Sequence, residues 1–108
     1  MASSKDYLDY ILEKLSPLKD ITSRTMMGEY ILYYKGRIFG GIYDNRLLIK
    51  PVNAAHRMMP AAKKERPYEG AAEMIMPDEI DDSDFLCRLV KAMYEELPEP
   101  KKRKPAVK

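Results

Sequence analysis

The stretch TSRTMMGEYILYYKGRIFGGIYDNRLLIKP, Thr22 to Pro51, decides the fold. Two short turn signals divide it: Lys35-Gly36 between Tyr34 and Arg37, and Asp44-Asn45 between Tyr43 and Arg46. Two-residue loops of this composition tolerate positive φ and match the twist of paired strands. β-Branched and aromatic residues crowd the segments between them, as a pleated surface favours. The stretch reads as an antiparallel meander, and the rest of the chain as its cover.

Turn positions fix a register, and the register sorts side chains onto faces. The first loop predicts Tyr34 opposite Arg37, Tyr33 opposite Ile38 and Ile31 opposite Gly40. The second predicts Tyr43 opposite Arg46, Ile42 opposite Leu47 and Gly40 opposite Ile49. One side would then carry Ile31, Tyr33, Ile38, Gly40, Ile42, Leu47 and Ile49, an aliphatic core face. The other would carry Tyr30, Leu32, Tyr34, Arg37, Phe39, Gly41, Tyr43, Arg46, Leu48 and Lys50. This second face is too apolar to stand wholly in water. Aromatic anchors with arginine at the rim have the composition of an interaction surface. Three occupants fit it: a protein partner, a second copy, or a helix of the chain itself.

At 108 residues the chain has room for one domain with a modest core. We place that domain at 1–97 and a basic, disordered tail at 98–108. The single cysteine excludes an internal disulfide and points to a reducing compartment. No apolar run approaches the roughly 20 residues that span a bilayer. With no signal-type block at the N-terminus, the expected location is the cytoplasm. The net charge of +2 conceals a division. Five cations against one carboxylate give the tail +4, and fourteen against sixteen leave Met1 to Leu97 at −2. A duplex-binding domain shows its basic footprint on the fold itself, so this balance argues against the body as a strong DNA binder.

Ser3 or Ser4 caps a predicted helix to about Leu15, with Tyr7, Leu8, Ile11, Leu12 and Leu15 as its apolar stripe. Ile21 to Met27 reads as a first strand, with Arg24 as a solvated edge cation. Asn53 is the expected cap of a short helix from Ala54 to about Met59, closed by Pro60. Ala61 to Gly70 reads as an exposed loop; with Arg57 it holds the one basic cluster of the body, Lys63, Lys64 and Arg66. Glu73 to Met76 is a short last strand, with Met74 and Met76 on one face and Ile75 on the other. The carboxylates from Asp78 to Asp84 precede a helix, where they complement its dipole, and Asp82 or Ser83 is the natural cap. That helix runs to about Leu97 over Phe85, Leu86, Leu89, Val90, Met93 and Leu97, with Cys87 off the stripe and inert.

The motifs of common enzymes do not occur. There is no glycine-rich phosphate loop, no nucleophile elbow and no zinc spacing. One histidine, His56, and one cysteine fall short of the usual zinc ligand set. Gly40-Gly41 lies within a strand, where glycine marks close packing or a bulge. The expectation is a protein without catalytic residues, cofactor or metal.

Three runs carry a family resemblance: Thr22 to Tyr30, then Leu32 to Gly40, then Ile42 to Lys50. With Arg57-Met58, the Pro67-Tyr68 loop and Pro77 ahead of the last helix, they resemble the N-terminal domain of the TfoX/Sxy family. The resemblance spans roughly Leu8 to Leu97. It departs at one corner, where Met27 stands for an aromatic residue and Glu29 for a second glycine. It implies an α+β fold, similar to secretion chaperones, in which an antiparallel sheet of four to five strands is covered by helices. The implied order is α-β(4)-α-β-α. It also implies kinship with bacterial competence regulators, which promote transcription together with a cyclic-AMP receptor protein. Those regulators carry a further helical domain, and this sequence corresponds to a single-domain form.

The functional expectation is a non-enzymatic regulatory or adaptor module acting by protein–protein contact. Its face would comprise Tyr30, Leu32, Tyr34, Arg37, Phe39, Tyr43, Arg46, Leu48 and Lys50. The alternative is a nucleic-acid-binding accessory protein that uses Arg57, Lys63, Lys64 and Arg66 with Lys101, Lys102, Arg103 and Lys104 of the tail. Neither reading calls for a membrane.

Overall fold

In a computed structural model that describes residues 3–98, three helices lie against one six-stranded antiparallel sheet. The helices are α1 (Lys5–Lys14), α2 (Asn53–Met58) and α3 (Ser83–Met93), the last continued by a 3₁₀ turn over Tyr94–Glu96. The strands are β1 (Ile21–Met26), β2 (Glu29–Tyr34), β3 (Arg37–Ile42), β4 (Leu47–Ile49), β5 (Lys63–Glu65) and β6 (Met74–Met76). Their spatial order is β1-β2-β3-β4-β6-β5. The fold is α+β, with one strand more than the upper expectation. The additional strand is β5, which lies within the segment expected to be an exposed loop. Its sequence KKE has no strand-like pattern, and pairing with β6 alone makes it a strand.

Both expected turns are present. Lys35 and Gly36 have φ of 52° and 82°, and Asp44 and Asn45 have 56° and 57°. A third turn of the same kind, Met27-Gly28 at 53° and 84°, joins β1 to β2. Positive φ at both central positions is what the twist of a two-residue hairpin requires. The β3–β4 ladder keeps the expected register, with Gly40 opposite Ile49 and Ile42 opposite Leu47.

The β2–β3 ladder does not. Tyr34 faces Arg37 and Tyr33 faces Ile38, as the turn dictates, but then Leu32 faces Gly40 and Ile31 faces Gly41. Phe39 is the extra residue of a β-bulge. One inserted residue moves every later side chain to the opposite face. The core side of the sheet therefore carries Leu32, Tyr34, Phe39, Ile42, Leu47, Ile49 and Ile75. Leu8, Ile11 and Leu15 of α1 and its cap meet this side, as do Ala54 and Ala55 of α2 and Leu86, Leu89, Val90 and Met93 of α3. Ile31, Tyr33 and Ile38, expected in the core, lie on the other side and stay partly exposed.

Local chemistry sets the helix ends. Ser4 accepts a hydrogen bond from the Tyr7 amide (3.1 Å) and Asp82 from the Phe85 amide (3.0 Å), each satisfying a free helix N–H. Asn53 is not a cap: it is the first helical residue, and the N-cap is Val52, which offers no side-chain acceptor. Instead Glu96, beyond α3, accepts from the Ala54 amide at 3.1 Å. Cys87, expected off the stripe, is in the core at 7% exposure, its Sγ near the Lys14 carbonyl at 3.5 Å.

Candidate functional site

With all three helices on one side, the opposite side of the sheet is the surface left for recognition. By register it carries Arg24 and Met26 of β1, Ile31 and Tyr33 of β2, Ile38 and Gly41 of β3, Leu48 of β4, and Met74 and Met76 of β6. The two ends of this surface differ.

Over β3 and β4 it is closed by its own side chains. The Tyr43 ring lies across Gly41, where a Cβ would come within 2.7 Å of the ring and 2.6 Å of the Tyr30 carbonyl oxygen. Tyr68 approaches Tyr43 edge-on, with ring centroids 6.4 Å apart. Arg46 donates to Glu65 (2.8 Å) and to the Arg66 carbonyl (3.3 Å), tying the β4 hairpin to β5. Beneath these groups Leu48 is fully buried, although it belongs to no part of the core under the helices. Burial raises the Tyr43 phenol above its usual range, with the nearby Tyr68 and Glu29 adding to the effect.

Over β1 and β2 the same side is open. Arg24, Thr25, Met26, Ile31 and Tyr33 line a shallow cavity of about 550 Å³. Its lining combines apolar and aromatic side chains with one threonine and one arginine, a mixture suited to contact with another macromolecule. A second, smaller cavity of about 300 Å³ lies between the end of α2 and the start of α3, with Asp78 and Glu79 at its edge.

The nine residues expected to form one interaction face do not share a face. Tyr30, Leu32, Tyr34 and Phe39 lie on the helix side, with Leu32 and Phe39 essentially inaccessible. Arg37 points the same way and stacks on Tyr94, its guanidinium carbon 4.3 Å from the ring centroid. It also donates to the carbonyls of Tyr94 (3.1 Å) and Leu97 (3.4 Å), closing the end of the last helix. Tyr34 meets Tyr94 edge-on at 5.4 Å. Tyr43, Arg46, Leu48 and Lys50 remain on the open side. The bulge at Phe39 causes this division, and no local signal in the sequence announces a bulge except the adjoining glycines.

The basic residues of the body do not converge either. Arg57 is exposed on α2, whereas Lys63 and Lys64 alternate across β5 and leave on opposite faces. Arg66 donates to the Ala71 carbonyl within its own loop. Lys101, Lys102, Arg103 and Lys104 lie outside the described residues. Among the described residues no cluster of His, Cys, Asp and Glu could hold a metal ion, and no helix is long and apolar enough to cross a membrane.

Sequence reasoning missed a polar knot at one end of the sheet. Ser3 donates to Glu29 and accepts from the Asn45 amide at 2.9 Å. Glu29 also accepts from the Asp44 amide (3.1 Å), and the Asn45 side chain accepts from the Ser4 amide (2.9 Å). The chain start thus binds the β1–β2 and β3–β4 turns together. No local signal in the sequence joins these groups, which come from segments 15 to 42 positions apart.

A model of the TfoX N-terminal domain matches residues 13–97. An uncharacterized 12.7 kDa protein in the trpE 5′ region of Spirochaeta aurantia is 28% identical over 109 residues, covering 100% of this chain and 95% of that protein. No solved structure is significantly similar to the chain.

Proposed function

We propose a function from one premise: the chain belongs to the TfoX N-terminal domain family. Within that family, which by resemblance is kin to competence regulators, this protein is a small regulatory adaptor. It works in the cytoplasm by binding another protein and has no catalytic step of its own. One observation carries the reading: the helices are all spent on one side of the sheet, and the open side keeps Ile31, Tyr33 and Ile38 partly exposed beside Arg24. A sheet face of that composition gains free energy when a partner removes it from water. Direct nucleic-acid binding has less support, because Arg57, Lys63, Lys64 and Arg66 leave from different elements and faces.

The test is transcript profiling of a deletion strain complemented with the wild type or with Ile31→Ala/Tyr33→Ala. The double variant is first checked for an unchanged far-ultraviolet spectrum and a cooperative melting transition above the growth temperature. Loss of the same transcripts in the deletion and the double variant is the expected result. Full complementation by the double variant would remove this face from the function, and an unaltered transcriptome in the deletion would remove the regulatory role.

A further inference from the structure

The two edges of the sheet are built differently. β5 is three residues long and two of them are lysines, a common device against unwanted pairing. β1 is six residues long, ITSRTM, with no proline, no bulge and one charge. Among the described residues its Thr25 end is also uncovered: Thr25 is exposed although its register places it on the helix side, whereas Ile21 at the other end still packs against the core.

Hydrogen-bond parity tells which main-chain groups β1 leaves free. Met26 and Glu29 flank the two-residue Met27-Gly28 turn, so they form a bonded pair. Bonded and non-bonded pairs then alternate, which directs the N–H and C=O of Thr22, Arg24 and Met26 inward to β2. The Lys35 amide donating to the Asp20 carbonyl at 3.0 Å continues that even-numbered series. Ile21, Ser23 and Thr25 therefore aim their N–H and C=O groups away from the sheet.

We infer that this edge pairs with the same edge of a second copy, making one continuous antiparallel sheet from two six-stranded halves. A two-fold axis normal to the sheet requires that outward-facing residues meet outward-facing residues and keep their faces. Only odd-numbered partners satisfy this, and two registers are central enough to use the strand. Pairing Ser23 with Thr25 of the second copy would set Arg24 directly opposite Arg24, which like charges oppose. Pairing Ser23 with Ser23 sets Ile21 opposite Thr25 and Thr22 opposite Arg24. The second register leaves the cations apart and forms about six main-chain hydrogen bonds from three bonded pairs. It also carries the Met26, Ile31 and Tyr33 surface across the axis as one face, so a symmetric pair would present two copies of the cavity side by side.

Sedimentation equilibrium of the full chain tests the seam. The wild type is expected at twice the 12.5 kDa chain mass. Ser23→Pro removes an outward N–H and none of those that bond β2, so it is expected at the mass of a single chain with an unchanged far-ultraviolet spectrum. Ser23→Lys and Ser23→Glu place like charges across the axis; each alone is expected to be monomeric, and an equimolar mixture to recover the dimer. A wild type that is monomeric throughout the concentration series would overturn the inference, leaving the edge open for a foreign strand. A dimer indifferent to both charge variants, or no recovery on mixing them, would overturn it equally. These readings concern mass alone and stand apart from the transcript profile, so the seam and the regulatory role fail separately.

Discussion

Leu32 stands opposite Gly40, and Phe39, which a regular ladder would set there, is the extra residue of the bulge. Phe39 still turns into the core, at 1% exposure, and shares it with Leu32. This single insertion sets which residues of β2 and β3 share the face that the helices cover.

Phe39→Ala is expected to lower unfolding free energy by about 3–5 kcal/mol, the usual range for a buried phenylalanine. Ile31→Ala and Ile38→Ala, on the open side, should each cost about 1 kcal/mol or less. Urea denaturation of the three variants measures the order. A larger loss at Ile31 than at Phe39 would mean that the faces are assigned the wrong way round.

Gly40 and Gly41 differ in what opposes a side chain. At Gly40 a Cβ would run into the Leu48 carbonyl oxygen and come within 2.9 Å of the Ile49 Cα, all main chain of the neighbouring strand. At Gly41 it would meet the Tyr43 ring at 2.7 Å as well as the Tyr30 carbonyl at 2.6 Å. Alanine at either site is expected to destabilise by about 1–3 kcal/mol or more through overpacking. Tyr43→Ala in the Gly41→Ala background should return only part of the loss, and no part of the loss at Gly40. Chemical denaturation of the double variants reads both outcomes.

Arg37→Lys should cost about 1–2 kcal/mol, although the charge is kept. The lysine retains one point charge but loses the planar stack on Tyr94 and the fork that reaches the Tyr94 and Leu97 carbonyls. Thermal melts check it, and an unchanged melting temperature would show that charge alone sufficed.

Alkaline pH is expected to destabilise the fold. Burial holds the phenols of Tyr7 and Tyr43 above their usual 10.0 and the Cys87 thiol above its usual 9.0. Each group keeps its proton longer in the folded chain than in the unfolded one. The contribution is therefore complete below pH 9 and is lost as pH rises past 9 and 10 toward the raised native values. Tyr43→Phe should make the alkaline loss shallower. Tyr7→Phe should do so too, and should also cost about 1–3 kcal/mol at neutral pH, because the Leu47 amide donates to the Tyr7 hydroxyl at 3.2 Å and would be left unpaired. A denaturation series from pH 7 to 11 follows both effects, and parallel curves for wild type and Tyr43→Phe would contradict the first.

Much of the architecture was legible because it depends on residues near one another in the chain. Lys35-Gly36 and Asp44-Asn45 announced their turns through their tolerance of positive φ, and Asp82 announced a helix start. Met74, Ile75 and Met76 alternated as expected, with Ile75 entering the core. The cap of α2 was not legible. Asn53 has the right chemistry, yet the acceptor is Glu96, 42 positions from the Ala54 amide it serves. β5 was not legible either, since Lys63, Lys64 and Glu65 form a strand only where β6 offers a partner.

The candidate surface shows where local reasoning stops. Glycines beside Phe39 permitted a bulge, but permission is not choice. Two apolar sides of one ribbon compete for a single layer of helices, and the winner is the side whose shape those helices can fill. The chain by itself determined that there would be a twisted meander, its turns and the helices to cover it, because conformational preference acts over a few residues. Which side of the ribbon faces Leu8, Ile11, Leu89 and Met93 was decided by packing between distant segments, where volume and burial outweigh any rule written along the chain.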